Sequence, residues 1–319
     1  MFVKHFREIN KDMFEMCGGK ASHLGELTSI GVNVPPGFVV VGDSFYHHIS
    51  KNGLEARIRE IESTVNYDDF QDLEEKTGQI RALIEGATIP SEIEQEIIAG
   101  YVGLLEGNSA PFVAVRSSVA VKDSAISSFP GMMDTFHYIR GAGDVVAKVR
   151  DCWASVWSGR AAFSRHNKGL DHWKAVIAPI IQVMVNSDVA GVAFTMNPMT
   201  GNRDEVVIES GWGLGEAVVC GKCMCDFYLV CKEPFSVKQK RIPPKEQKYV
   251  QSAEGSAEWA DVETEKVNAA TLTDTDVDAV CRAAALIEKH YGHPQDIEWA
   301  FEKGTLYILQ ARRAKTGTE

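Results

Sequence analysis

Three observations predict an α+β fold: amphipathic helical patterns dominate the first half, glycine-punctuated apolar runs of strand length dominate the second, and the chain closes on an alternating pair of strands. The 319 residues, 45% apolar and 24% charged, suffice for one large domain or two subdomains with a sizeable core. No stretch approaches the roughly 18 consecutive apolar residues of a membrane span, and Met1 to Lys11 mixes charges too freely for a secretory signal. A cytoplasmic chain with no membrane partner is therefore expected.

The first element follows Cys17-Gly-Gly-Lys20, where Leu24, Leu27 and Ile30 share a helix face and Gly31 stops the helix. Val34 to Val41 carries Pro35 and Pro36 near its start, the pattern of an edge strand, because proline can open a strand but not sit at its centre. A polar, acidic helical stretch then runs to about Gly86. Ser91 and Glu94 form a capping-box signature for a helix whose apolar residues Ile93, Ile97, Ile98, Tyr101, Leu104 and Leu105 recur at helical spacing. A short strand, Phe112 to Val115, delivers Arg116-Ser-Ser118 at its end, and a loop of small residues follows as far as Thr135. Asp144 to Trp157 is helical again, with Val145, Val149, Cys152, Trp153, Val156 and Trp157 as its buried stripe.

From Val176 onward strands are expected at Val176 to Val185, Val189 to Met196, Val206 to Ile208 and Phe227 to Val230, and the polar stretch 235–270 is read as a hairpin with a connecting loop. Thr273 and Asp276 cap a last helix that Gly292 ends. Four cysteines, Cys220, Cys223, Cys225 and Cys231, crowd into this half. Cys223 and Cys225 are one residue apart beside a strand, whereas structural zinc draws pairs spaced by two to four residues. An odd total of seven without an export signal argues against a disulfide framework. The four are read as buried free thiols, with no metal.

The final element is a hairpin: Asp296-Ile-Glu-Trp-Ala-Phe301, a Lys303-Gly-Thr turn, then Leu306-Tyr-Ile-Leu-Gln-Ala-Arg312. Asp296 and Glu298 share one face of its first strand, and Gln310 and Arg312 one face of its second. A three-residue loop or a bulge sets Glu298 opposite Gln310 and Asp296 opposite Arg312, while a two-residue turn sends the two pairs to opposite faces.

A net charge of −11 and a pI near 5.4 exclude a broad nucleic-acid surface, which needs a clustered basic excess. A single nucleotide is not excluded, since a few local cations prevail within a Debye length of about 10 Å. Phosphoryl transfer asks for cations and backbone amides around phosphates and for carboxylates on Mg²⁺. The chain offers Lys20 after a Gly-Gly turn, Arg116 at a strand end, the loop Gly131 to Thr135, and the acids, amide and guanidinium of the hairpin. Neither a Walker-type phosphate loop nor a Rossmann fingerprint opens a βαβ unit.

Gly18-Gly-Lys20 with Leu24-Gly-Glu-Leu27, Pro35-Pro-Gly-Phe38, Val115-Arg-Ser-Ser118, Asn197-Pro-Met-Thr-Gly201, Gly213-Leu-Gly-Glu-Ala217 and Asp296-Ile-Glu-Trp299 with Leu309-Gln-Ala-Arg312 resemble the ATP-binding domain of the phosphoenolpyruvate synthase and pyruvate phosphate dikinase family. The resemblance covers about residues 12–316 and keeps the motifs in order. It implies an ATP-grasp fold, with two α+β subdomains clasping the nucleotide between antiparallel sheets: residues 1–180 with phosphate-binding loops, residues 181–314 with the Mg-binding hairpin, and a tail at 315–319. It further implies that Lys20, Arg116 and Arg312 contact phosphates and that Glu298 and Gln310, assisted by Asp296, hold Mg²⁺. The backbone of Gln182, Val183 and Met184 meets adenine, and Gly131, Asp134 and Thr135 belong to the loop over the phosphates. Taken singly, Lys20 and Arg116 read as ordinary surface charges and Glu298 with Arg312 as a cross-strand ion pair; the motifs in their order outweigh that reading. Trp153, Trp157 and Trp299 read as core.

Complete members of the family continue into a swivelling domain with a phosphorylatable histidine in a Thr-Ser-His setting, then a barrel for the acceptor, and neither is in this sequence. Gly18 to His23 imitates the histidine motif, but the Leu-Gly-Glu-Leu that follows fits the nucleotide block, so His23 is read as a helix residue. Phe129 to Thr135 is similar to the dikinase form, Arg116-Ser-Ser118 to the synthase form, and Cys225 stands where the family often has proline. The resemblance implies an ATP-dependent phosphotransferase component, inactive alone. Its phosphoryl group goes to a histidine on a swivelling domain or on a separate catalytic subunit, as in the phenylphosphate synthase type, for onward transfer to a small acceptor such as pyruvate or a phenol. The nearness of Met1 to the first motif and the short tail favour the subunit. A nucleotide-sensing regulatory subunit is the alternative, against which the intact Lys20, Arg116, Glu298, Gln310 and Arg312 stand; dikinase-type motifs oppose an ATP-grasp ligase.

Overall fold

The computed structural model describes residues 1–105, 109–121, 134–252 and 255–315. The chain divides into two units, Met1–Glu26 with Pro36–Met184, and Leu27–Pro35 with Val185–Glu319. The boundary falls inside one helix and just past one strand. Both units mix helices with antiparallel sheet, as the α+β expectation has it.

The first unit runs through β1 (Val3–His5), α1 (Phe14–Ser29, entering the second unit after Glu26), β2 (Gly37–Val40), α2 (Asp43–Lys51), α3 (Glu55–Glu62), α4 (Phe70–Gly86), α5 (Ser91–Val102), β3 (Val113–Val121), β4 (Thr135–Ile139), α6 (Ala142–Ala154), α7 (Gly159–Asn167) and β5 (Ala175–Val183). Its sheet has the order β1-β2-β5-β3-β4. Val113, Val115 and Val119 alternate along β3 toward a core completed by Ile80 and Ile84 of α4, Ile93 and Ile97 of α5, and Val149 and Trp153 of α6.

Three local expectations are corrected. The segment after Pro36 is an interior strand, since β2 lies between β1 and β5; it begins beyond both prolines, and Pro36 contributes a carbonyl to Val183 N at 2.9 Å. Ser91 does not cap α5. Pro90 is the N-cap, its carbonyl accepting from Ile93 and Glu94 N at 2.9 and 3.0 Å, so Ser91 is already helical. Finally, β3 does not stop at Arg116 but pairs with β5 from Val113 to Val121, because the alternation that buries Val113 and Val115 continues through Val119.

The second unit contains β6 (Val189–Phe194), β7 (Glu205–Trp212), α8 (Gly215–Val219), β8 (Asp226–Cys231), β9 (Ser236–Arg241), β10 (Gln247–Gln251), β11 (Ala257–Asp261), α9 (Asp274–Tyr291), β12 (Gln295–Glu302) and β13 (Thr305–Arg313). Its main sheet is antiparallel in the order β13-β12-β6-β7-β8-β9, with β10-β11 as a separate pair. α9 lays Val277, Val280, Cys281, Ala284 and Ile287 on the sheet face formed by Ala193, Ile208, Tyr228, Ile297 and Trp299. The capping box expected at its start is present, Thr273 N donating to Asp276 Oδ2 at 2.9 Å and Asp276 N to Thr273 Oγ1 at 3.2 Å, and Gly292 closes it with φ 71°. Among the described residues no helix is long and apolar enough to cross a membrane.

Candidate functional site

In the first unit the site grows from one close approach. Gly18 breaks α1 with φ 74° and ψ 165°. A Cβ there would lie 2.7 Å from both the Ser118 carbonyl carbon and the Val119 oxygen, so only glycine lets this turn rest on β3. α1 then restarts, and Ser118 Oγ accepts from Ala21 N at 3.1 Å, a helix cap supplied by another element. Lys20 thus sits in the first turn of the restarted helix, where the dipole favours an anion. Arg116, two residues before Ser118, shares its face of β3.

Arg116 Nη1 donates to Gln182 Oε1 at 2.6 Å. Gln182 pairs with Ala114, so this contact runs diagonally across the β3–β5 ladder. The Gln182 side chain is buried, and its Nε2 has no hydrogen-bond partner among the described residues. Val183 N donates to Pro36 O and Met184 N to Phe112 O, each at 2.9 Å, while Met184 Sδ accepts from Tyr138 N at 3.1 Å. The N–H groups of Val183 and Met184 are thus engaged within this unit.

Thr135 opens β4 directly opposite Arg116, and exposed Asp134 precedes it. Burial pushes the Cys152 thiol far up, Lys20 pulls it down and Asp134 raises it further, so both charges act on one buried position of α6. Gly131 lies outside the described residues.

In the second unit the hairpin resolves its register with both devices that the sequence offered as alternatives. The turn has two residues, Lys303 and Gly304, with φ 50° and 77°, and Glu302 faces Thr305. Continued without a slip, that ladder would set Glu298 opposite Leu309. A bulge between Glu298 and Trp299 absorbs Leu309, so Trp299 faces Ile308 while Glu298 faces Gln310 and Asp296 faces Arg312. Arg312 Nε donates to buried Asp296 Oδ2 at 2.8 Å, and Gln310 Nε2 to Glu298 Oε1 at 3.4 Å. Ile297, Trp299 and Ala311 fill the opposite, core face.

Two carboxylates and an amide form an all-oxygen donor set once the Gln310 amide turns its Oε1 inward, which suits a hard cation such as Mg²⁺ that keeps positions for water or phosphate oxygens. No group of three His, Cys, Asp or Glu residues able to cage a metal exists among the described residues. A cation here would therefore depend on the amide and on oxygens from outside the chain.

Two residues escaped the sequence reading. Ser118 braces the Lys20 turn, a role that its place in the motif Val115-Arg-Ser-Ser118 did not reveal. Glu209 faces Val192, which faces Glu298, so Gln310, Glu298, Val192 and Glu209 form one row across the sheet; an acid within Val206-Val-Ile-Glu209 was the available signal. His23 lies within α1, as expected, and Trp153, Trp157 and Trp299 are buried. The clustered cysteines are free, but not the buried thiols expected: Cys220 is exposed and Cys223, Cys225 and Cys231 are half-buried.

Residues 14–319 match the pyruvate phosphate dikinase, AMP/ATP-binding domain family. The chain is 40% identical to a probable phosphoenolpyruvate synthase of Methanocaldococcus jannaschii, over 99% of this chain and 27% of that protein. Similarity to the probable phosphoenolpyruvate synthase of Pyrococcus horikoshii is 38% identity over 99% of this chain and 44% of the relative, and to the phosphoenolpyruvate synthase of Pyrococcus furiosus 37% over the same two shares. The chain spans less than half the length of each of these relatives.

Proposed function

This chain belongs to the pyruvate phosphate dikinase AMP/ATP-binding domain family, and from that membership we propose that it binds Mg-ATP in an ATP-grasp fold and passes a phosphoryl group to a histidine outside these residues. The observation that carries the proposal is the hairpin register, which gathers two carboxylates, an amide and a guanidinium on one sheet face. The two units are the two ATP-grasp subdomains of this reading.

Lys20 and Arg116 in the first unit and Arg312 in the second supply positive charge for phosphate oxygens, Arg116 being held in place by Gln182. Adenine lies along Gln182 to Met184 and donates its amino group to a carbonyl of that segment. Gly131, Asp134 and Thr135 close over the phosphates. Glu298, Gln310 and Asp296 would hold Mg²⁺, which when bound neutralises phosphate charge and fixes the transferring group.

The histidine belongs to a swivelling domain or a separate catalytic subunit, and the final acceptor is a small molecule such as pyruvate or a phenol, with AMP and phosphate as the other products. The relatives are phosphoenolpyruvate synthases by name, which supports the pyruvate end of that range. The test mixes the chain with β- or γ-labelled ATP, Mg²⁺ and the histidine-bearing partner. Acid-labile label on the partner, drawn from the β position, is the expected result; ATP binding with no label on any histidine would point to nucleotide sensing instead.

A further inference from the structure

The proposed ATP site does not use two thiols on a loop of the same unit. Cys223 and Cys225 lie between α8 and β8, with their Sγ atoms 3.7 Å apart. Cys225 Sγ also reaches the Cys223 carbonyl oxygen at 3.6 Å, which folds its side chain back over its neighbour. Both sulfurs rest on Gly211 of β7, where a Cβ would stand 3.5 Å from Cys223 Sγ and 4.0 Å from Cys225 Sγ. Gly211 thus lies beside both side chains. Unlike buried Cys281, both are half-buried, within reach of solvent reagents. No metal-caging group of three ligands accompanies them among the described residues.

We propose that Cys223 and Cys225 form a reversible dithiol–disulfide pair that reacts with low-molecular-weight disulfides. Closing it requires the sulfurs to move from 3.7 Å to a bond of about 2.05 Å. Residues two apart close a small ring, whose strain makes the bond readily reducible, as a reversible couple needs.

The two thiols divide the roles. Cys223 is drawn below the ordinary thiol range by the hydrogen bond from Cys225, against a smaller effect of burial. Cys225 is pushed up, first by donating that hydrogen bond, then by burial and by the charges of Cys223, Glu209 and Asp226. Cys223 thiolate attacks one sulfur of RSSR, forming Cys223–S–SR and releasing RS⁻, which takes up a proton. Cys225 then loses its proton to solvent and attacks Cys223 Sγ, releasing the second RSH. Two protein thiols are oxidised and one RSSR is reduced to two RSH.

Glu209 and Gly211 lie on the same face of β7, and Glu209 stands in the row that includes Glu298 and Gln310. Any influence of the pair on nucleotide rests on the function proposed above; the pair itself does not.

The test poises the full chain at graded ratios of reduced to oxidised glutathione, alkylates the remaining thiols and maps the peptides. The expected result is joint loss of alkylation at Cys223 and Cys225 with a single midpoint, in a peptide lighter by two hydrogens. Cys225→Ser should trap glutathione on Cys223, whereas Cys223→Ser should leave Cys225 alkylatable. Independent midpoints, a bond from either residue to Cys220, or no trapped adduct in Cys225→Ser would overturn the proposal.

Discussion

Under the proposed function, the contact between Arg312 and Asp296 is one that should matter little for folding and much for chemistry. The Arg312 side chain is 55% exposed, and an ion pair with one partner in solvent contributes about 0–1 kcal/mol. Arg312→Ala and Glu298→Ala should therefore shift the melting temperature by no more than about 4 °C, while phosphoryl transfer falls at least about tenfold, a loss of about 1.4 kcal/mol of transition-state stabilisation. Calorimetry beside a transfer assay checks both, and unimpaired transfer in the two variants would end the site assignment.

His172 carries a different consequence at the same scale. Its ring stacks on Trp157, Nδ1 accepts from Arg165 Nε at 3.1 Å, and Nε2 lies 2.9 Å from Tyr67 Oη. Burial, then the Arg165 charge, bring it down to about 4. An unfolded histidine titrates near 6.5, so between about pH 6.5 and 4 the unfolded chain binds more protons. The stability tied to His172 is complete above that window and is lost as pH falls through it; buried His48, also lowered, acts in the same sense. Melting temperature followed from pH 7 to 4 should drop less steeply in His172→Gln than in the parent, and an identical slope would contradict this assignment.

Among elements, the connection from β9 into β10 is pinned by one buried pair. Lys245 Nζ donates to Asp226 Oδ1 at 2.5 Å and to Pro243 O at 3.0 Å, while Asp226 Oδ2 accepts from Thr271 N at 2.7 Å and Oγ1 at 2.8 Å. Asp226→Ala strands a buried ammonium and should cost about 3–5 kcal/mol. The double variant Asp226→Leu/Lys245→Met should recover most of that loss in denaturant unfolding, because the unpaired charge goes with it. A double variant as unstable as Asp226→Ala would show that the pair does more than balance charge.

This pair was invisible in the sequence, since nothing local says that Lys245 folds back on Asp226. The same limit explains β9: its residues are exposed throughout and alternate Lys238 and Lys240 with other side chains, the look of a loop, and only pairing with β8 makes them an edge strand. Signals that act locally were legible. The Thr273 box, the α6 stripe and the polar face of the hairpin follow from spacing alone, whereas Ser91 failed because Pro90 had already started its helix. On the candidate site, residue types and faces could be read, but the choice between bulge and turn could not, since Leu309 is sterically ordinary until the ladder is built.

For the whole molecule, the chain belongs to the dikinase AMP/ATP-binding domain family and spans less than half the length of each of these relatives. Each unit offers its own share of the proposed chemistry: Lys20 and Arg116 from one, Asp296, Glu298, Gln310 and Arg312 from the other. If these shares serve one nucleotide, damage to either must be felt in the same binding event. Isothermal titration of Mg-ATP into the full chain measures this directly. Saturable binding of one nucleotide per chain is predicted, weakened at least about tenfold, about 1.4 kcal/mol, in Arg116→Ala and equally in Glu298→Ala. Binding that neither substitution changes would contradict the account.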